Sequence, residues 1–158
     1  MDSKRGWRPM ETRDLRKVHS ISLAQWGTLY YESIEIFQNK LEFYNEGCFV
    51  YEDNGLVQGY VISHPCMSDD IPKLNKVLPV VELNRFLAYH CYYIHDIVLM
   101  PEYRGELIAV EIIEYLIKDK LLVCLVTPAP THHYWKKYYG FKKTHIKFED
   151  GVHMQRIM

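Results

Sequence analysis

The sequence has no surplus of charge of either sign: across 158 residues, 19 Lys and Arg stand against 20 Asp and Glu, a net charge of −1. A protein that binds nucleic acid by neutralising phosphates needs a basic excess, so that class is disfavoured. No apolar run approaches the roughly 20 residues of a membrane-spanning helix. The opening residues, MDSKRGWRPM, carry no apolar core of a secretory signal. Neither a membrane nor export is expected, and the chain reads as cytoplasmic. Cysteine is sparse, and Cys48, Cys66, Cys91 and Cys124 make no CxxC pair and no His/Cys spacing that suits zinc. Four reduced thiols and no bound metal are expected. No internal repeat or low-complexity stretch is visible. With 48% hydrophobic and 25% charged residues, one packed domain over residues 1–158 is expected, not long disorder. What the sequence has in quantity is aromatic residues, 14%, with 13 Tyr.

Periodicity gives an order of elements. Residues 4–10 read as an edge strand, because Pro9 lacks a donor. Thr12 is placed to cap a helix over 13–25, with Leu15, Val18 and Ser22 on one stripe. A second helix over 33–44 repeats Ile34, Phe37, Leu41 and Tyr44 on one face. Two strands, 48–52 and 56–63, flank the turn Asp53-Asn54-Gly55. Residues 64–90, with three prolines, read as a long loop with one helical turn near 83–89. An apolar strand over 91–100, a helix over 105–118 and an apolar strand over 121–126 imply a parallel crossover. A short helix over 132–138 ends before Gly140, and strands 141–149 and 153–157 close the chain around Asp150-Gly151. The pattern predicts a mixed α/β sheet with helices on both faces.

The junction Ile97-Val98-Leu99-Met100-Pro101-Glu102-Tyr103-Arg104-Gly105-Glu106-Leu107-Ile108-Ala109 is the segment richest in chemistry. A buried strand feeds a tight turn and then a helix, whose first N–H groups suit an anion such as pyrophosphate. This run resembles motif A of the GNAT superfamily of acetyl-CoA-dependent N-acyltransferases. "GCFVYEDNGLVQGYVISHP" resembles that family's central hairpin, "YWKKYYGFKK" its motif B and "FEDGVHMQRIM" its terminal hairpin. The resemblance covers nearly the whole chain. It implies a GNAT fold, a mostly antiparallel twisted sheet of about six to seven strands with helices on both faces.

By the same resemblance, acetyl-CoA is the cosubstrate. Its pantetheine arm would lie along Ile97, Val98 and Leu99, and its pyrophosphate on the loop Arg104, Gly105, Glu106, Leu107, Ile108 and Ala109. Leu107 departs from the family, which usually has Gly there.

An acetyl acceptor must lose a proton before it attacks a thioester, and the leaving thiolate must gain one. His95 is the candidate base. It precedes Ile97 by two residues, and the run Tyr93 to Leu99 resembles the H-x-H-x-L-x-V pattern of arylalkylamine N-acetyltransferases with Tyr93 in the first position. Strand alternation would turn Asp96 to the opposite face. The family's usual acid, a Tyr four residues before the motif B glycine, is replaced by Lys136. Tyr139 is the preferred substitute, with Tyr134 and Tyr138 as alternatives. His132-His133 is a weak metal signal, and Lys136 and Lys137 belong near CoA phosphates or in solvent. The stretches His64-Pro65-Cys66 and Ile71-Pro72-Lys73-Leu74-Asn75 resemble a loop that borders the acceptor site in some bacterial and fungal members.

The expected function is direct acetyl transfer to the primary amine of a small molecule. The tyrosines suggest an acceptor cleft with aromatic walls. Two other readings stay open: a GNAT-fold binding protein without turnover, and a transferase acting on protein or peptide amines. Pairing of two copies also stays open.

Overall fold

The structure, a computed structural model, describes residues 4–67, 71–78, 89–148 and 151–158, with residues 147 and 148 described through their backbone alone. Strand β1 (Arg5–Pro9) leads through a single turn into helices α1 (Leu15–Trp26) and α2 (Ile34–Phe43). A hairpin of β2 (Cys48–Asp53) and β3 (Leu56–Cys66) follows, then β4 (Cys91–Leu99), α3 (Ile108–Ile117), β5 (Leu122–Thr127) and α4 (His132–Tyr139). Strands β6 (Lys142–Phe148) and β7 (Gly151–Ile157) end the chain.

The strands form one sheet in the order β1-β2-β3-β4-β5-β7-β6. Every neighbouring pair is antiparallel except β4 with β5. Helices α1 and α2 cover one face, where Val18, Ile21, Phe37 and Leu41 pack on Val50, Tyr60 and Ile62. Helices α3 and α4 cover the other, where Ile112, Ile113 and Leu116 meet Ile94, Val123, Leu125 and Met154. This is the mixed architecture that the pattern predicts, with seven strands.

The β2–β3 turn closes on Asn54 and Gly55, both at positive φ (51° and 82°), as a two-residue hairpin loop requires. Gly140, at φ 72°, ends α4 with its N–H on the Lys136 carbonyl.

Several expectations need correction. The cap is set at Glu11, on the single turn 12–14 that leads into α1, not at Thr12: the Glu11 N–H donates to Asp14 at 2.8 Å, and Arg8 grips the same carboxylate with two 2.8 Å bonds. The ion pair with β1 fixes this end, and it cannot be read from the helix alone. Strand β3 continues to Cys66, so the loop begins later; Pro65 pairs with Tyr92 in the ladder. Helix α3 begins at Ile108, leaving residues 104–107 in the preceding turn. Cys91 and Cys124 are joined in a disulfide, with Cα atoms 6.8 Å apart. Parallel pairing of β4 with β5 makes them diagonal neighbours, a proximity that their separation of 33 residues hides. Of the turn near 83–89 only Tyr89 is among the described residues, and Asp150 lies outside them.

Candidate active site

The parallel pairing of β4 with β5 covers only Tyr92, Tyr93 and Ile94. Beyond Ile94 the far edge of β4 has no ladder partner among the described residues. Which backbone groups lie along that edge follows from the β3 side. The Met100 N–H donates to the Gln58 carbonyl at 2.8 Å. Antiparallel pairs alternate between bonded and non-bonded positions, so Tyr60–Val98 is a bonded pair and Val61–Ile97 and Gly59–Leu99 are not. The N–H and C=O groups of Ile97 and Leu99 therefore face the open edge, while those of Val98 face β3. The Leu99 carbonyl is held by the Arg104 Nε–H at 2.9 Å, and Arg104 Nη2 reaches Gln25.

The open edge runs toward the start of α3. Gly105 sits at φ 84°, a conformation that favours glycine. The Glu111 N–H makes the helix's cap bond to the Leu107 carbonyl. Ile108, Ala109 and Val110 thus supply first-turn N–H groups that have no partner within the helix. The Leu107 side chain is 77% exposed.

One residue of β4 is extra. Ile62 pairs with Asp96 and Ser63 with Ile94, so His95 is the unpaired residue of a β-bulge. The bulge overturns the expected alternation. His95 and Asp96 both turn toward the α1–α2 side, because the bulge adds a residue where the pleat would have reversed direction.

His95 Nε2 lies 2.5 Å from Glu32 Oε1, and the two side chains are only 2% and 3% exposed. A carboxylate only accepts, so Nε2 is the donor of this bond, and in the neutral ring the lone pair is on Nδ1. Nδ1 has no hydrogen-bond partner among the described residues. The second Glu32 oxygen accepts the Asn75 N–H at 2.9 Å. Burial raises the Glu32 carboxyl, but His95, the Asn75 N–H and Lys40 outweigh it and hold it below the ordinary range. Lys40 is buried, its Nζ makes no hydrogen bond among the described residues, and burial lowers its pKa. Asp96 accepts from Tyr60 Oη at 2.5 Å. Its burial pushes it up to about 6, against the opposing pull of His95 and the Tyr60 hydroxyl.

Tyr139 lies elsewhere. It is buried in the α3–α4 core against Trp135, and its hydroxyl meets that of Tyr134 at 3.1 Å. Burial raises its pKa. Tyr134 is the more exposed member of the pair.

Residues 12–141 match the profile of the acetyltransferase (GNAT) family. The chain belongs to the GNAT family. It is an acyltransferase by that membership. A comparison with curated protein sequences returned no match. Among solved structures, the loading GNATL domain of CurA from Lyngbya majuscula is similar at TM-score 0.71 and 13% identity, with 98% of each chain covered. The ribosomal-protein-S18-alanine N-acetyltransferase from Escherichia coli is similar at TM-score 0.65 and 17% identity, over 98% of this chain and 94% of that one. The diaminobutyrate acetyltransferase EctA from Paenibacillus lautus, in complex with its substrate and coenzyme A, is similar at TM-score 0.67 and 13% identity, over 98% of this chain and 95% of that one. No helix among the described residues is long and apolar enough to cross a membrane.

In this GNAT chain a pocket of about 230 Å³ is lined by Phe43, His64, Pro65, Cys66, Leu78, Tyr89, Lys73 and Lys76 among others, and the ring of Tyr93 stands between its His64 and His95. Ring contacts link it to His95: Phe43 to His64 at 5.4 Å, His64 to Tyr93 at 5.5 Å and Tyr93 to His95 at 5.9 Å. Burial drives His64 down to about 3, so it is neutral at physiological pH. The loop that the resemblance singles out does border this pocket. Asn39 exchanges two hydrogen bonds with the Leu78 backbone, at 2.7 and 3.2 Å, and Asn75 Oδ1 accepts the Ser33 N–H at 3.0 Å. Sequence reading missed Glu32, Lys40 and Tyr60. No spacing signals them, because the fold brings Glu32 to a residue 63 positions away.

Proposed function

We propose that this protein transfers an acetyl group from acetyl-CoA directly to the primary amine of a small molecule, with His95 as general base. The observation that carries the reading is the placement of His95. It sits on the β4 bulge, held by Glu32, two residues from the strand edge left open by β5. The pantetheine arm lies along Ile97, Val98 and Leu99. The pyrophosphate rests on the turn of Arg104, Gly105, Glu106 and Leu107 and on the first N–H groups of α3 at Ile108 and Ala109. Coenzyme A in the similar diaminobutyrate acetyltransferase structure supports this cosubstrate.

Each group has one task. Glu32 accepts the Nε2 proton, fixes the tautomer and leaves the Nδ1 lone pair to take a proton from the ammonium form of the acceptor. The neutral amine then attacks the thioester carbonyl. The Leu99 N–H, on the open edge, stabilises the oxyanion, a role that the strand's alternation denies to Val98. The amide nitrogen sheds its remaining extra proton as the C–S bond breaks, and that proton replaces the one that the paired hydroxyls of Tyr134 and Tyr139 give to the thiolate. Arg104 supports the turn by holding the Leu99 carbonyl.

The pocket's Phe43, Tyr89 and Pro65 favour an acceptor with an apolar or aromatic body. Lys73 and Lys76 on its wall disfavour a polycation. Spermidine-like amines outperforming arylalkylamines would count against this choice, and peptide amines belong in the same panel.

The test is thermal. Acetyl-CoA at 100 times its dissociation constant stabilises a one-site binder by about 2.7 kcal/mol. We expect a clear rise in Tm, and thiol release with the amine panel that falls at least 100-fold in His95→Ala. No Tm rise, or full activity in His95→Ala, would overturn the reading. Leu107 in the place of a family glycine favours a second reading, a binding protein without turnover. A Tm rise with no thiol release from any amine would favour it.

A further inference from the structure

A second cluster lies at the end of β4 away from Leu99. Cys66 of β3, Cys91 of β4 and Cys124 of β5 come from three neighbouring strands. Cys66 and Cys91 are direct partners across the antiparallel pair. Cys124 sits opposite Tyr93, two residues along β4 from Cys91. The two-residue period of a strand therefore puts all three on one face. Their sulfurs lie within 4.8 Å of one another, and all three residues are buried. Tyr93, Ile71, Leu122 and Val126 pack around them, and Cys66 also borders the pocket. Cys91 and Cys124 are joined, and Cys66 stands beside the bond as a third sulfur.

We propose that in the reduced protein these three thiols form a binding site for a soft trivalent cation of the arsenite type, held by three sulfurs with no fourth ligand. Thiolates select soft ions. At an ion–sulfur distance of about 2.3 Å, three sulfurs on one ion stand about 3.3–4.0 Å apart, a spread inside the 4.8 Å that encloses the three sulfurs here. No histidine or carboxylate among the described residues joins the group. That disfavours zinc, which takes four ligands in structural sites.

Charge decides the oxidation state. Three thiolates around a divalent ion leave one negative charge at a buried site, which is costly. Around a trivalent ion they leave none. The balance closes without an oxidant: arsenous acid and three thiols give three As–S bonds and three waters. Each S–H proton leaves on a departing hydroxide. The disulfide occupies two of the three sulfurs, so the oxidised form is the closed state, and reduction by an added phosphine opens the site.

The experiment uses the full chain, reduced with a phosphine, freed of it under anaerobic conditions and titrated with arsenite. Native mass spectrometry should show one arsenic per chain in place of three hydrogens, with a new sulfur-to-arsenic absorption in the ultraviolet. Cys66→Ser and Cys124→Ser should each weaken uptake at least tenfold. Cys48→Ser should bind as the parent does, because Cys48 packs in the separate α1–α2 core. Arsenite should raise the Tm of the parent and of Cys48→Ser but not of Cys66→Ser, which guards against a variant that merely folds poorly. No arsenic on the folded, reduced parent, equal uptake by Cys66→Ser, or tighter binding of one zinc ion would each overturn the proposal.

Discussion

His95 is useful only in company. Its partner Glu32 is buried, yet its carboxyl sits below the ordinary range because His95, the Asn75 N–H and Lys40 together outweigh desolvation. Glu32→Gln keeps the shape and removes the charge. We expect kcat to fall about 10- to 100-fold, less than the roughly 100- to 10,000-fold span of general-base effects because the base itself remains, with KM for acetyl-CoA nearly unchanged. A kcat equal to the parent's would show that His95 needs no orienting carboxylate. Asp96 makes a pH-dependent prediction. Its folded value of about 6 exceeds the ordinary 3.8. Below pH 4 it is neutral in both states. As pH rises from 4 to 6, the unfolded chain ionises first, so the folded state loses about 3 kcal/mol relative to it. Asp96→Asn removes that loss. The Tm advantage of the variant over the parent should grow by several degrees between pH 4 and pH 7, as differential scanning calorimetry can measure. A constant difference across that range would contradict the origin given to the shift. The sequence displays His95 and Asp96, since both lie in a recognisable strand. It hides Glu32, which sits between helices with no motif around it.

At the scale of elements, legibility tracks locality. The Asn54-Gly55 turn, the Gly140 stop and the apolar stripes of α2 and α3 are encoded by neighbours in sequence, and they appear where the spacing places them. The bulge is not local. It exists only in the register of β3 against β4, and a strand read alone looks regular. The late start of α3 has a similar cause: the turn before it is fixed by Arg104 on Leu99 and by the Trp7 indole N–H on the Ile108 carbonyl at 2.9 Å. Gly59 tests the β3–β4 register. A Cβ there would meet Leu99 Cδ2 at 2.5 Å and the Val98 carbonyl at 2.8 Å. Gly59→Ala should therefore push β4 away from β3, cost about 1–3 kcal/mol as overpacking does, and raise KM for acetyl-CoA more than it lowers kcat. Denaturant titration and steady-state kinetics would read the two effects. An unchanged KM would separate the cosubstrate from this stretch of β4.

At the scale of the whole molecule, the described part of the loop over the pocket is fastened at Asn39 to Leu78 and at Asn75 to Glu32 and Ser33. Asn39→Ala removes one fastening without touching the His95 cluster. It should raise KM for the amine several-fold and leave KM for acetyl-CoA alone, and equal changes in both would sink that separation of roles. The sheet itself is divided in a way that the composition gives no hint of. Strands β1 to β4 and strands β5 to β7 share three ladder pairs and one sulfur–sulfur link. The two ends of the chain belong to opposite sides of that seam, so tension applied between them must cross it. Once the link is reduced, the seam is the first line to part. The C-terminal three strands should then peel from the rest at a lower force, with α3 as the tether between the two pieces. Optical-tweezer traces of the oxidised and reduced chain would show that drop as an early rupture step present only after reduction.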